Sequence, residues 1–160
     1  MKFRFIILSF LLIAFSSCEK DKNDDYSTLI IGKWEAQTLT SIVTNEKGER
    51  IPDLELDRNY DDYEIRPFMR FKSDGTGVNQ DYDVDGSTTP PLLFKWSIKA
   101  DELTLEFERD DDEGEHEDSG PEVFVFKITI VNDVFTAINR INFDYEKEVE
   151  VMTTVFHRAK

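Results

Sequence analysis

FKWSIKADELTLEF, residues 94–107, is the stretch that indicates the fold most directly. Apolar and polar side chains alternate in both of its halves, and Ala100–Glu102 separates them. Alternation with a period of two places the apolar side chains on one face of a β-strand. The stretch therefore predicts two antiparallel strands joined by a short turn. Their apolar face consists of Phe94, Trp96, Ile98, Leu103, Leu105 and Phe107.

The same pattern recurs on both sides of this hairpin. Upstream, Asp74-Gly75 lies between two runs that contain apolar residues, a strong cue for a tight hairpin in which both central residues need φ > 0. Downstream, Asn132-Asp133 predicts a tight return between two long strands. The apolar faces of the later strands are Phe124, Phe126, Ile128 and Ile130; then Phe135, Ala137, Asn139, Ile141 and Phe143; and finally Val149, Val151, Thr153 and Val155 in phase.

Eight such strands follow one another with short connections, and helical periodicity is weak from Thr28 onward. Consecutive antiparallel strands of even number, each with one apolar face, close into an up-and-down β-barrel that leaves no free edge. We therefore expect an all-β, eight-stranded antiparallel barrel, with a β-sandwich as the alternative. The expected strands are Trp34–Val43, Tyr63–Lys72, Thr76–Val84, Leu92–Lys99, Leu103–Arg109, Glu122–Val131, Val134–Phe143 and Glu148–Arg158.

The N-terminus has the composition of a secretory signal peptide. Two basic residues precede an apolar run, Phe5–Phe15, that is too short for a spanning helix, which needs about 20 apolar residues. Ser16-Ser17-Cys18 then resembles the lipobox of bacterial lipoproteins, whose cysteine is diacylated after cleavage. The expected organisation is a signal peptide (1–17), a flexible charged tether (18–28) and a barrel domain (29–160), with Cys18 as the lipidation site and only cysteine.

Charge and motifs exclude several classes of function. The chain has a formal net charge of −15, and removal of 1–17 with its two basic residues gives −17. Such an acidic chain repels nucleic acid and anionic membrane surfaces, so we expect no nucleic-acid partner. The sequence has no nucleophile elbow, phosphate-binding loop or zinc-protease helix, and we expect no enzymatic activity.

Gly32-Lys33-Trp34 resembles the Gly-x-Trp signature of lipocalins. This resemblance implies that Trp34 closes the narrow end of the barrel and packs against an arginine, at Arg158 in this chain. The order of the motifs is more similar still to the lipocalin-like lipoproteins of Bacteroidota, which pair a lipobox with a "GKW" strand, an Asp-Gly-Thr-Gly hairpin and a tryptophan-bearing strand. It implies an outer-membrane lipoprotein, and Cys18-Glu19-Lys20-Asp21 resembles their surface-export signal, with a periplasm-facing position as the alternative.

Two acidic segments bear on metal binding. Asp81, Asp83 and Asp85, followed by Gly86, match the first half of a calcium loop, but Leu92 stands where a bidentate glutamate is needed. Calcium at these three carboxylates is therefore one hypothesis, and a turn with exposed acids is the other; no other cofactor is expected. DDDEGEHED, residues 110–118, is typical of a solvated acidic loop that contains His116.

The long connection at residues 51–67 follows the first strand, where lipocalins place a lid. We expect a short helix or irregular cap that packs Leu54, Leu56 and Ile65 against the barrel; the alternative is a lid whose Tyr60 and Tyr63 touch a ligand.

The sequence leads to two hypotheses for function. The first is a lipid-anchored envelope module whose barrel binds a small apolar or amphipathic ligand. The second is an accessory interaction or structural subunit of an outer-membrane complex, in which the same side chains fill a solid core. The expected partners are the outer membrane, through acyl chains on Cys18, and either the ligand or an envelope protein. The expected cavity walls are Phe94, Trp96, Phe124, Phe126 and Phe135.

Overall fold

The computed structural model describes residues 25–82, 85–108, 121–143 and 147–160. In this part of the chain one helical turn, α1 (Tyr26–Leu29), precedes nine strands, and two 3-10 turns, Pro52–Leu54 and Tyr60–Asp62, flank the second strand. The strands are β1 (Gly32–Thr44), β2 (Leu56–Asn59), β3 (Phe68–Phe71), β4 (Thr76–Gln80), β5 (Leu92–Lys99), β6 (Glu102–Phe107), β7 (Glu122–Val131), β8 (Val134–Phe143) and β9 (Glu148–Arg158).

The strands close into an antiparallel barrel. From β3 to β9 each strand pairs with the next, β1 pairs with β3, and β9 pairs with β1 along Trp34–Thr44. β2 is an addition to this ring, because it lies on the same edge of β1 as β3 and pairs with Thr38–Ser41. Eight strands therefore form the closed wall. The predicted barrel is confirmed, and the sandwich alternative is wrong.

Strand bounds agree best where alternation is strongest. β5, β7, β8 and β9 begin and end at the predicted residues. The predicted strand Tyr63–Lys72 is shorter, because Pro67 has no N–H for a ladder and the 3-10 turn at Tyr60–Asp62 occupies the preceding chain. The strand predicted to begin at Thr76 ends at Gln80, and its predicted end at Val84 lies outside the described residues. β2 has no alternating pattern and was missed.

The two ends of the barrel differ in their connections. At one end, which we call the closed end, β1 begins, β9 ends and three hairpins turn over two to four residues. The hairpin predicted at Asp74-Gly75 is confirmed, but of this pair only Gly75 has positive φ (81°). The Asp74 carboxylate accepts hydrogen bonds from the N–H (2.9 Å) and the hydroxyl (2.7 Å) of Thr76, which fixes the turn. At the other end, the mouth, the connections after β1, β4 and β6 are each longer than ten residues, and the connection after β8 spans residues 144–147.

The core fills the closed half of the barrel. Inward side chains of β7 become more buried along the strand, from partly exposed Phe124 and Phe126 to buried Ile128 and Ile130. This gradient follows from the direction of β7, which runs from the mouth to the closed end. The side chains that are essentially inaccessible to solvent are Trp34, Phe71, Phe135, Ile30, Leu103, Leu105 and Ile128.

The inner face of β9 is the opposite of the expected one. Cross-strand partners lie on the same face of a sheet, and buried Phe135 and Ala137 pair with Phe156 and Thr154. The residues of β9 that point into the barrel are therefore Glu150, Met152, Thr154 and Phe156, whereas Val149, Val151, Thr153 and Val155 point outward. Apolar alternation failed here because this wall of the interior is polar and the outer face of the strand carries the valines.

The connection between β1 and β3 does not pack as expected. Leu54, Leu56 and Ile65 are exposed. The residue that reaches the core is Tyr60, which is 8% exposed. Its neighbour Tyr63 is exposed and lies 5.9 Å from it between ring centroids. The connection is therefore joined to the barrel by the pairing of β2 with β1 and by the Tyr60 side chain in the core.

Candidate functional site

Trp34 seals the closed end. Its side chain is fully buried, its ring meets Phe135 edge to face at 5.6 Å between centroids, and its Nε1–H donates to the Ile30 carbonyl (2.6 Å). Ile30, just after α1, is itself fully buried. The indole therefore joins the N-terminal turn to the barrel interior and satisfies its own polar atom at the same time.

Arg158 covers the outer side of this seal. Its guanidinium carbon lies 4.2 Å from the Trp34 ring centroid, in cation–π geometry. Nη1 donates to the Ile31 carbonyl (2.9 Å) and Nη2 to the Leu29 carbonyl (2.7 Å). Gly32 is needed at this contact, because its φ is +131° and a Cβ there would lie 2.9 Å from Nη1. Gly32, Trp34 and Arg158, to which the resemblance to lipocalins assigned a structural role, therefore lie together.

The aromatic residues predicted as cavity walls all point into the barrel, but at different depths. Phe94 and Phe135 are buried in the core. Trp96 is also held at the closed end, because its Nε1–H lies within hydrogen-bond distance of the carbonyls of Thr76 (2.9 Å) and Lys72 (3.2 Å). Phe124 and Phe126 remain partly exposed. Of the five, these two are the best placed to meet a ligand.

One further aromatic residue belongs to this wall. Phe107, at the mouth end of β6, lies 5.5 Å from Phe94 and 5.7 Å from Phe124 between ring centroids. It connects the core to the partly exposed rings in one continuous series of aromatic contacts. Alternation with Leu103 and Leu105 had placed Phe107 on the apolar face of its strand. Phe107 was not among the five predicted cavity residues, although this pattern could have identified it.

Opposite the aromatic strands, the interior is polar. Ser41 is 3% exposed and Asn139 6% exposed, and both point inward. The Ser41 hydroxyl donates to Glu150 Oε1 (2.5 Å). Asn139 and Ser41 both pair with Met152, the inward residue that follows Glu150 on its face of β9. We call Ser41, Asn139 and Glu150 the polar wall. Ser41 and Glu150 were not predicted from the sequence. Glu150 could have been predicted, because it lies an even number of residues before Phe156 on the same strand and therefore shares its face.

The mouth holds the excess negative charge. The segments that join strands at the mouth, residues 45–55, 81–91, 108–121 and 144–147, contain 17 acidic and four basic residues. The rest of the chain has 17 acidic and 15 basic residues. Most of the formal charge of −15 therefore belongs to segments that join strands at the mouth, and such an excess of one sign generates a field that attracts cations and repels anions.

The calcium hypothesis stays a prediction. Asp83 lies outside the described residues, and Asp81 and Asp85 are exposed. Asp85 accepts from the N–H (2.9 Å) and hydroxyl (2.6 Å) of Ser87, and these bonds lower the pKa of its carboxyl group. Across the described ranges, no three His, Cys, Asp or Glu side chains come together as a metal site.

Several predicted features lie outside the described residues, namely Cys18, the tether up to Asp24 and the acidic segment 110–118 with His116. His157 is exposed on β9. Among the residues that the structure describes, no helix is long and apolar enough to cross a membrane.

Comparison with known proteins identifies a family, and the similar solved structures include two from Bacteroides species. The family model described as a lipocalin-like domain matches residues 30–137. A lipocalin-like protein from Bacteroides uniformis ATCC 8492 is 13% identical, with a TM-score of 0.47, and the match covers 81% of this chain and 98% of that chain. An uncharacterized protein from Bacteroides eggerthii DSM 20697 is 16% identical, with a TM-score of 0.40, covering 81% and 99%. No curated protein matches the sequence.

Proposed function

The chain belongs to the lipocalin-like domain family, and from this premise we propose that it is a non-enzymatic, lipid-anchored module of the cell envelope whose barrel holds a small amphipathic molecule. A lipocalin-like barrel is a fold of the ligand-binding type. Eight strands leave room for packed side chains or for one small ligand. The two functions therefore differ in what fills the mouth half of the barrel, a ligand in a binding module and side chains in a solid core.

One observation carries the proposal. On β6, β7, β8 and β9 the inward side chains nearest the mouth keep accessible surface although they point into the barrel, whereas those nearest the closed end are buried. Phe107 and Phe124 on one side and Glu150 and Thr154 on the other are partly exposed in this way. A filled core would cover them, since interiors pack as densely as organic crystals. Partial exposure of inward side chains supports space that a ligand can occupy.

The test is titration with N-phenylnaphthylamine, a neutral apolar dye whose fluorescence rises in an apolar site. The expected result for the purified protein is saturable binding of one dye. Thr154→Phe is expected to weaken it at least about tenfold, because the larger ring projects into the space between Leu39 and Ala137, the partners of Thr154.

Thr153→Phe is the matched control, because it makes the same change on the outer face of the same strand. Equal dye affinity in the two variants, with unchanged circular dichroism, would contradict binding inside the barrel. A protein that binds no dye would favour the second candidate.

That second candidate is an interaction subunit, and the outer face of β1, β8 and β9 supports it. Apart from Glu35, near the start of β1 and paired with Lys33, the outward positions of these strands carry no acidic side chain, although the chain as a whole is strongly acidic. Ile42 and Ile138 are exposed there. The outward residues at the centre of this face are Thr38, Thr40, Ile42, Thr136, Ile138, Val151, Thr153 and Val155.

Anchoring at the outer membrane, with the barrel exposed at the cell surface, is part of the same proposal. It is supported by the lipobox-like residues before Cys18 and by the charged residues that follow it. Cys18→Ala is expected to abolish incorporation of labelled palmitate and to move the protein from the membrane fraction to the soluble one. Cys18→Ala protein that retains the label would show that the acyl chains attach elsewhere.

A further inference from the structure

We propose that the barrel selects an amphipathic molecule with a positively charged, hydrogen-bond-donating head group, an aliphatic amine, and that Glu150 binds this group. The inference rests on the proposed function and narrows its ligand class. The polar wall would take the ammonium group, and the aromatic strands would take the aliphatic chain.

Glu150 is the charged member of the polar wall. It pairs with buried Val43 on β1 and with Ile141 on β8, and both registers place it on the inner face. Ser41, one step deeper, binds Oε1 through its hydroxyl, and Asn139 lies diagonally across on β8, within the distance at which long side chains interact. The carboxylate is thus held in place by its neighbours.

Glu150 keeps part of its surface accessible to solvent, and a ligand that fills the mouth half would remove the water around it. Taking a charge out of water costs free energy unless it is paired and hydrogen-bonded. None of the ion pairs among the described residues involves Glu150. Ser41 satisfies part of the hydrogen-bonding capacity of the carboxylate, which accepts at both oxygens. An ammonium group has three donors and the opposite charge, and it would satisfy the rest.

The opposite side of the barrel suits an aliphatic chain. In the order of the eight wall strands β9 lies opposite β5, and β1 lies opposite β6. Phe107 on β6 and Phe124 on β7 are the partly exposed rings on this side, and buried Phe94 on β5 packs against Phe107. Contact with these rings removes the methylene groups of a ligand from water, which favours binding. A molecule with one cationic end and one apolar body therefore matches both walls.

The electrostatic field at the mouth also favours a cationic ligand. Its connections carry most of the net charge of the chain, which raises the local concentration of cations and lowers that of anions. Fatty acids, with a carboxylate head group, meet like charge at the mouth and again at Glu150. The inference therefore distinguishes amines from acids of the same chain length.

The experiment compares decylamine, decanol and decanoate as competitors of N-phenylnaphthylamine on the purified protein. Decylamine is expected to bind at least about tenfold more tightly than decanol, since hydrogen bonds to charged groups exceed neutral ones by about that factor. Decanoate is expected to bind more weakly than decanol. Glu150→Gln is expected to reduce the preference for the amine over decanol to less than about threefold.

Glu106→Gln is the matched control, because it removes the same charge from the exposed outer face of β6; it should keep the preference. Ser41→Ala is a second variant in case Glu150→Gln does not fold, and it should reduce the preference partly. Equal affinity for the three compounds would overturn this inference and leave the proposed function intact. A preference for the amine that survives Glu150→Gln would overturn the role of Glu150. Failure of all three compounds and the dye to bind would overturn the proposed function itself.

Discussion

Trp34→Ala is expected to lower the free energy of unfolding by about 4 kcal/mol, the upper range for removal of a buried aromatic side chain. The indole is fully buried, packs against Phe135 and donates to the Ile30 carbonyl. Its loss opens a cavity at the closed end, removes the partner of that carbonyl and leaves the Arg158 guanidinium without the ring beneath it. These three effects act on the same site, so the cost is large.

Urea unfolding followed by far-ultraviolet circular dichroism measures this change without relying on tryptophan fluorescence. Tyr63→Ala is the control, because Tyr63 is 49% exposed and its removal should cost less than about 0.5 kcal/mol. A loss below about 1 kcal/mol for Trp34→Ala would mean that the closed end does not depend on the indole.

Gly77→Ala is expected to destabilise the protein by about 2–3 kcal/mol, the usual range for overpacking a core. An added Cβ would lie 2.2 Å from two ring carbons of Phe94 and 2.7 Å from the Arg70 carbonyl oxygen. The Phe94 ring cannot move freely, because Phe71 and Phe107 contact it on either side at 5.4 and 5.5 Å between centroids. In a strand without this contact, alanine would be more stable than glycine by about 0.5–1 kcal/mol.

A double-mutant cycle with Phe94→Leu identifies the cause. If the ring is the obstacle, Gly77→Ala should cost at least about 1 kcal/mol less in the Phe94→Leu background than in the parent protein. Thermal or urea unfolding of the four proteins supplies the comparison. Equal costs in both backgrounds would show that the Arg70 carbonyl, and not the ring, excludes a side chain at this position.

The fold could be predicted where apolar alternation and tight turns coincide. β5, β7 and β8 lie within the closed barrel with one apolar face inward, so their sequences record the core directly. β2 could not be predicted in this way, because Leu56 is exposed and its strand forms only by pairing with the middle of β1. The sequence also does not show that Tyr60, and not Leu54, Leu56 or Ile65, is the residue of this connection that is buried in the core.

The candidate site was predictable in part. Aromatic residues on the inner phase identify one wall, although the sequence does not tell buried Phe94 from partly exposed Phe124. The polar wall was not predicted because alternation recognises inward positions by their apolar residues. Polar residues that point inward are therefore assigned to the surface. The register of β9 corrects this assumption, since Phe156 and Glu150 lie on the same face.

Methyl NMR of the methionine side chains tests most directly whether the mouth half of the barrel is a binding site. Met152 points into the barrel and pairs with Ser41 and Asn139, so its methyl group reports on the polar wall. Addition of decylamine is expected to shift the Met152 signal saturably, with a nuclear Overhauser effect to the methylene group beside the nitrogen. An unchanged Met152 signal in protein saturated with the amine would contradict binding inside the barrel.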